Sequence, residues 1–97
     1  MKYAVYTKFK WADGVVSSEE MQQGMRDHVK LGNLAEDVIW WKIGDNHHMS
    51  MIIYPGKEVA QVDRVKRLVR RAESVKEVGL TLVEGHMGPV MAQMSEV

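Results

Sequence analysis

The 97-residue chain contains no cysteine, which excludes disulfide bridges, thiolate metal sites and cysteine nucleophiles. It has only two prolines and one phenylalanine. It also lacks an excess of charge of either sign, since thirteen basic residues balance thirteen acidic ones. No net field therefore favours a nucleic acid or an acidic membrane. Long apolar runs are missing too. The opening MKYAVYTKFKW alternates charged and apolar residues, where a signal peptide or membrane span needs an unbroken apolar segment. The expectation is a cytoplasmic protein with no nucleic-acid or membrane partner.

What is present is the composition of an ordinary globular domain, 45% hydrophobic and 27% charged. The length predicts one domain over residues 1–97, with a core at about 2–88 and a tail at 89–97. A chain this short buries only roughly 60–65% of the surface it exposes when unfolded. Small domains commonly gain further burial by oligomerising.

Residues Tyr3 to Trp11 alternate with period two and are rich in aromatic and β-branched side chains, which predicts a strand. Ala12-Asp13-Gly14 turns the chain. Ser17 with Glu20 has capping-box spacing, and Met21, Met25, His28, Val29 and Gly32 follow at intervals of three and four. A helix from about 18 to 31 results, stopped by Gly32-Asn33. Asp37 to Gly44 and about His47 to Tyr54 read as strands joined across Gly44-Asp45-Asn46, a hairpin. Glu58 to Ser74 reads as a second helix, with Val59, Val62, Val65, Val69 and Ala72 as its apolar stripe. Its other side carries Arg64, Lys66, Arg67, Arg70 and Arg71, interrupted by Asp63 and Glu73, which reads as a solvated face. A last strand is expected from Val78 to Glu84 or slightly beyond, before a tail from Gly85.

The order βαββαβ predicts an α+β, ferredoxin-like fold, with two helices on one face of a four-stranded antiparallel sheet. The odd residues of the first strand, with Ile39, Trp41, Ile43, Met49, Met51, Ile53, Leu80 and Leu82, form the expected helix-facing set. The opposite set mixes Tyr6, Trp40, Ile52, Tyr54 and Val83 with Lys8, Lys42, His48, Ser50 and Thr81. That second face is too apolar for water. Two such sheets packed face to face would bury it, which predicts a homodimer.

In length, element order and pattern, from Lys2 to about Gly88, the chain resembles the dimeric α+β-barrel superfamily. Its members include antibiotic-biosynthesis monooxygenase-like and muconolactone-isomerase-like proteins. The resemblance implies two ferredoxin-like sheets paired into a barrel and a ligand cleft between sheet and helices. No motif matches position by position, so no family catalytic residue is carried over.

Among the residues themselves, His28 falls on the apolar stripe of the first helix with Gly24 one turn before it. An imidazole there is the candidate general acid or base; a hydrogen-bonded histidine at the core edge is the plainer reading. Met25, Trp41 and Met51 are the candidate ligand-binding residues, within an apolar interior rich in methionine. His47-His48 does not make a metal site, because neighbouring strand residues point to opposite faces. Adding His86 and Asp45 would require a convergence that spacing alone does not supply, so surface histidines are expected and no metal. No cofactor motif is present. The strand HHMSMIIY lacks the glycine–aromatic alternation of an RNA-recognition module. Two functions stand side by side, with an RNA-binding module as a third reading behind them. One is a cofactor-independent oxygenase or isomerase acting on a small apolar or aromatic molecule; the other is a non-catalytic ligand-binding or regulatory dimer.

Overall fold

A computed structural model describes residues 1–70 and 79–97 with their side chains. Arg71, Ala72 and Glu73, assigned above to faces of the second helix, lie outside those described residues. The elements are β1 (Tyr3–Trp11), α1 (Ser18–Lys30), β2 (Asp37–Ile43), β3 (His47–Tyr54), α2 (Lys57–Val78) and β4 (Leu80–Pro89), followed by a short 3-10 turn at Met94–Glu96. The strands pair antiparallel in the order β2-β3-β1-β4. This is the ferredoxin-like α+β fold that the element order predicts. Among the described residues no helix is long and apolar enough to cross a membrane.

Local chemistry accounts for the element ends. The Ser17 hydroxyl accepts the Glu20 backbone N–H at 3.2 Å and caps α1, with Glu19 and Glu20 in the first turn where the dipole favours anions. Gly32, at φ +84°, takes the left-handed conformation just past the helix end. The second helix runs to Val78, beyond the expected stop at Ser74, and Gly79 breaks it at φ +66°. A Cβ at position 79 would also sit 2.7 Å from that of Ala12, so the chain reversal needs glycine twice over.

Three sequence expectations are corrected. The last strand starts at Leu80 and continues to Pro89, through glycines assigned to the tail. Pairing with β1 holds it, from Trp11↔Leu80 to Tyr3↔Pro89, with a register shift between Lys8 and Phe9. Beyond it the Val90 N–H donates to the Lys2 carbonyl at 2.8 Å, and the Lys2 ammonium pairs with Glu36 at 2.7 Å and with Glu96.

The second correction concerns the faces of β2 and β3. In the observed register Val5 opposes Ile52, Thr7 opposes Ser50 and Phe9 opposes His48, while Trp40 opposes Ser50. Residues directly opposite share a face, so the even residues of β2 and β3 join the odd residues of β1 beneath the helices. Burial agrees, since His48, Ser50, Ile52 and Tyr54 are all buried. Ile39, Trp41, Ile43, Met49, Met51 and Ile53 therefore lie on the open face, opposite to expectation.

The third concerns α2. Ala60 and Asp63 are buried, and Arg67 and Arg70 half-buried, whereas Val62, Val65 and Val69 of the expected apolar stripe are exposed. Tyr54 is fully buried at the end of β3, and its hydroxyl needs polar partners that only the Asp63–Arg67 side of α2 offers. The core centres on Val5, Ile52, Tyr54 and Ala60, with Tyr3, Ala35, Val38 and Val59 packed against it.

Candidate functional site

The first helix buries none of its residues. It stands off the sheet and roofs a cleft of about 430 Å³, a size that suits a small organic molecule. The floor comes from Thr7, Phe9 and Trp11 of β1, Trp40 of β2, His48 and Ser50 of β3, and Leu80 of β4. Met21, Gly24, Asp27 and His28 of α1 face it from above. Arg67 and Arg70 of α2 close one side.

His48 organises the floor. It is 5% exposed, and its Nδ1 accepts the Trp11 indole N–H at 2.7 Å. Phe9 stacks on its ring with centroids 5.1 Å apart, and Trp40 meets it edge-on at 6.2 Å. Burial among these rings pushes the proton affinity of the imidazole down to about 4, so it is neutral at physiological pH. The expectation of a surface histidine is therefore corrected at His48, which is buried with its Nδ1 engaged. His47 lies on the opposite face of β3 and His86 is bonded to Glu84 at 3.0 Å, so the residues considered for a metal set are dispersed. Among the described residues no cluster of three or more metal-ligating side chains forms.

His28 projects from α1 over the same floor, half-buried, its ring edge-on to Trp40 at 6.1 Å. Burial, and then the nearby Arg70 guanidinium, lower its pKa, against a smaller opposing effect of Asp63. It is therefore an imidazole biased toward the neutral form, able to accept a proton, with no hydrogen-bond partner among the described residues.

Behind the side wall lies a buried polar cluster. The Tyr54 hydroxyl donates to Asp63 Oδ2 at 2.5 Å and accepts from Arg67 Nη1 at 2.8 Å, while the same Nη1 reaches the Ala60 carbonyl at 3.0 Å. Arg70 approaches Asp63 Oδ2 at 3.6 Å. Burial, reinforced by the Asp63 carboxylate, pushes the Tyr54 phenol up to about 12. The cluster fixes both arginines at the cleft edge.

Of the residues singled out from sequence, His28 reaches the cleft. Met25 is half-buried on α1 but does not line it, and Met21, one turn earlier, does. Trp41 and Met51 are on the open face, and their neighbours Trp40, Ser50 and Ile52 take the cleft positions. Sequence reasoning missed His48, Trp11 and the two arginines as site residues. A usable signal was the spacing Ala60, Asp63, Arg67, Arg70, which is one helical face following directly on Tyr54.

The open face of the sheet carries Ile39 at 54% exposure and Trp41 at 38%, with Ile43, Met49, Met51 and Ile53 beside them. Tyr6 stacks on His86 with centroids 6.0 Å apart and tilts toward Trp41 at 6.5 Å. Lys8 and Lys10 mark one end of this face.

No protein-family model matches the chain, and no curated protein matches it. Among solved structures it is similar to the de novo designed protein Foldit4, at 17% sequence identity with a TM-score of 0.49, covering 93% of this chain and 99% of that one. A likeness at that level carries no argument about function.

Proposed function

We propose that the chain is a homodimeric protein that binds a small, flat, largely apolar molecule in the cleft between α1 and the sheet. The observation that carries this is the cleft itself. A helix with no buried residue stands over a floor of Phe9, Trp11, Trp40 and Leu80, leaving about 430 Å³ that the chain does not fill. Apolar walls with a few convergent polar groups are the usual make-up of a ligand site. The dimer follows from the other face, where Ile39, Trp41 and Ile43 stay exposed in an apolar patch that a second sheet would cover.

A catalytic version of this reading rests on His28. An imidazole biased to the neutral form, open to the cleft and unpartnered among the described residues, suits a general base. An oxygenase or isomerase acting without a cofactor would use it to remove a proton from the bound molecule.

The binding reading is tested with 2-isopropenylnaphthalene, followed by quenching of tryptophan emission in a Trp41→Phe background, which leaves only Trp11 and Trp40 as reporters. Saturable quenching is expected. It is expected to vanish in Gly24→Leu, because a Cβ at position 24 already lies 3.7 Å from the Trp40 ring and further atoms enter the cleft. Linear, unsaturable quenching in the parent, or unchanged binding in Gly24→Leu, refutes it. Native mass spectrometry of the same protein reads the dimer directly.

A further inference from the structure

The hydrogen bond between Trp11 and His48 determines more than the position of a ring. An indole nitrogen only donates. The nitrogen that receives the Trp11 N–H at 2.7 Å, Nδ1, must therefore carry a lone pair and no proton. A neutral imidazole then has its proton on Nε2. Protonating the ring fully would set two N–H groups against each other and break the bond to Trp11, and the apolar rings around it disfavour the charge as well.

Nε2 has no partner among the described residues. It is also absent from the enclosed, unpaired polar atoms, which among the described residues are Asp63 Oδ1 and Gln93 Oε1. His48 is 95% buried by its 5% exposure, yet this nitrogen keeps access, and the space against the residue is the cleft. An N–H donor beside Phe9 and Trp40 with no acceptor among the described residues must be paired by whatever displaces water from the cleft, since leaving it unpaired there is costly. A ligand acceptor satisfies it.

We propose that His48 is the orienting donor of the cleft: locked by Trp11 as the Nε2–H tautomer, it selects aromatic ligands that present an oxygen acceptor, such as an aryl carbonyl, over isosteres without one. Trp11 is the positioning residue that fixes the tautomer and touches the ligand only as part of the floor. This rests on the cleft being a ligand site, and it adds the polarity that the ligand must show there. A ligand offering only a donor, such as an aryl ammonium, meets N–H with N–H at His48 and gains no bond from it.

The test compares 2-acetylnaphthalene with 2-isopropenylnaphthalene, which differ by C=O against C=CH₂ at nearly the same shape. The parent chain is expected to favour the ketone by about three- to tenfold, the range of one neutral hydrogen bond. His48→Phe is expected to bind the olefin still and to lose the preference. Trp11→Phe keeps the ring at position 11 but frees Nδ1, and the preference is expected to shrink. Equal affinity of the parent for both probes overturns the role of His48 and leaves the cleft as a binding site. Binding of neither probe overturns both readings. Long-range ¹H–¹⁵N NMR of the parent's histidine rings provides a readout that no variant's stability can disturb. The expected result is an unprotonated Nδ1 and a protonated Nε2 whose resonance moves with the ketone; a proton on Nδ1 at neutral pH overturns the proposal.

Discussion

Acid should destabilise this fold through His48. His48 binds its proton with an affinity of about 4 when folded, against 6.5 for a free imidazole. The folded state therefore holds fewer protons than the unfolded one across that interval, and stability must rise with pH through it. The contribution is fully present above about pH 6.5 and is lost as pH falls toward about 4. By linkage the loss is about 2 kcal/mol between pH 7 and pH 5 and approaches about 3 kcal/mol near pH 4. Domains of this kind are stable by only about 5–15 kcal/mol in total, so the effect is large. The groups facing the ring are Phe9, Trp11 and Trp40, with His28, Arg67 and Arg70 lining the same cleft. His28 titrates in the same direction, so the comparison must isolate His48. Urea unfolding followed by tryptophan emission, at pH 7 and pH 5, is run on the parent chain and on His48→Gln. The variant is weaker at both pH values, because it loses the ring packing. The decisive quantity is the difference between pH values, expected to be about 2 kcal/mol smaller in His48→Gln. An identical pH dependence in the two proteins would refute the buried, neutral imidazole and the tautomer argument with it.

Other consequences follow from the same geometry. Asp63→Asn takes the charge from a carboxylate that is fully buried between Tyr54 and Arg70. Breaking a buried pair from one side costs about 3–5 kcal/mol, and a drop in urea midpoint of that size is expected. Tyr54→Phe leaves both Asp63 Oδ2 and Arg67 Nη1 short of a partner, at a cost of about 1–3 kcal/mol by the same assay. Gly24→Ala, with its new Cβ in ordinary contact with Trp40 at 3.7 Å, is expected to stabilise α1 by about 0.5–1 kcal/mol in thermal unfolding. A lower melting temperature would mean that the helix needs a closer approach to the sheet than observed. Ile39→Lys, on the open face, is expected to convert dimer to monomer in sedimentation velocity, and Val65→Lys, on the exposed stripe of α2, to leave the dimer intact. The reverse outcome would move the interface to the helices.

The order of elements was legible because turns and caps are local. Ser17, Gly32 and Gly44-Asp45-Asn46 act on their immediate neighbours, and the bounds they set for α1, β2 and β3 hold to within a residue or so. The face of a strand is not local. In β1 the lysines at positions 8 and 10 disclose which parity faces water, and that assignment is observed. In β2 and β3 both parities are apolar: Val38 and Trp40 against Ile39 and Trp41, Ile52 and Tyr54 against Met51 and Ile53. A pattern with period two then has no preferred sign, and only the register with β1 chooses it. One wrong sign carried Trp41 and Met51 into the expected cleft and His48 out of it. The partner that gives His48 its role, Trp11, lies 37 residues away in the chain. On α2, Arg67 and Arg70 read as solvated because charge usually is. Their destination depended on a buried phenol in the preceding strand.

The corrected faces sharpen the case for both a ligand and a second copy. Beneath the helices lie Thr7, His48, Ser50 and Asp63, all buried and all polar. Facing outward lie Ile39, Trp41, Ile43, Met49, Met51 and Ile53. A solitary two-layer domain minimises its free energy with the opposite arrangement, since each buried polar group needs a partner and each exposed aliphatic one forgoes about 25 cal/mol per Å². The polar groups are partly reconciled within the chain, His48 by Trp11 and Asp63 by Tyr54 and Arg70. His48 Nε2–H is a donor left, among the described residues, for a molecule entering the cleft. Among the described residues Ile39, Trp41 and Ile43 stay exposed on the aliphatic face, and the proposed occupant of a broad, slightly polar-rimmed sheet is another such sheet. If both inferences hold, the two halves of the problem are separable: Ile39→Lys should yield a weaker monomer that still prefers the ketone probe, and His48→Phe a dimer that does not. A monomer that loses all binding would instead place part of the site across the interface, and the cleft would have to be read as a property of the pair.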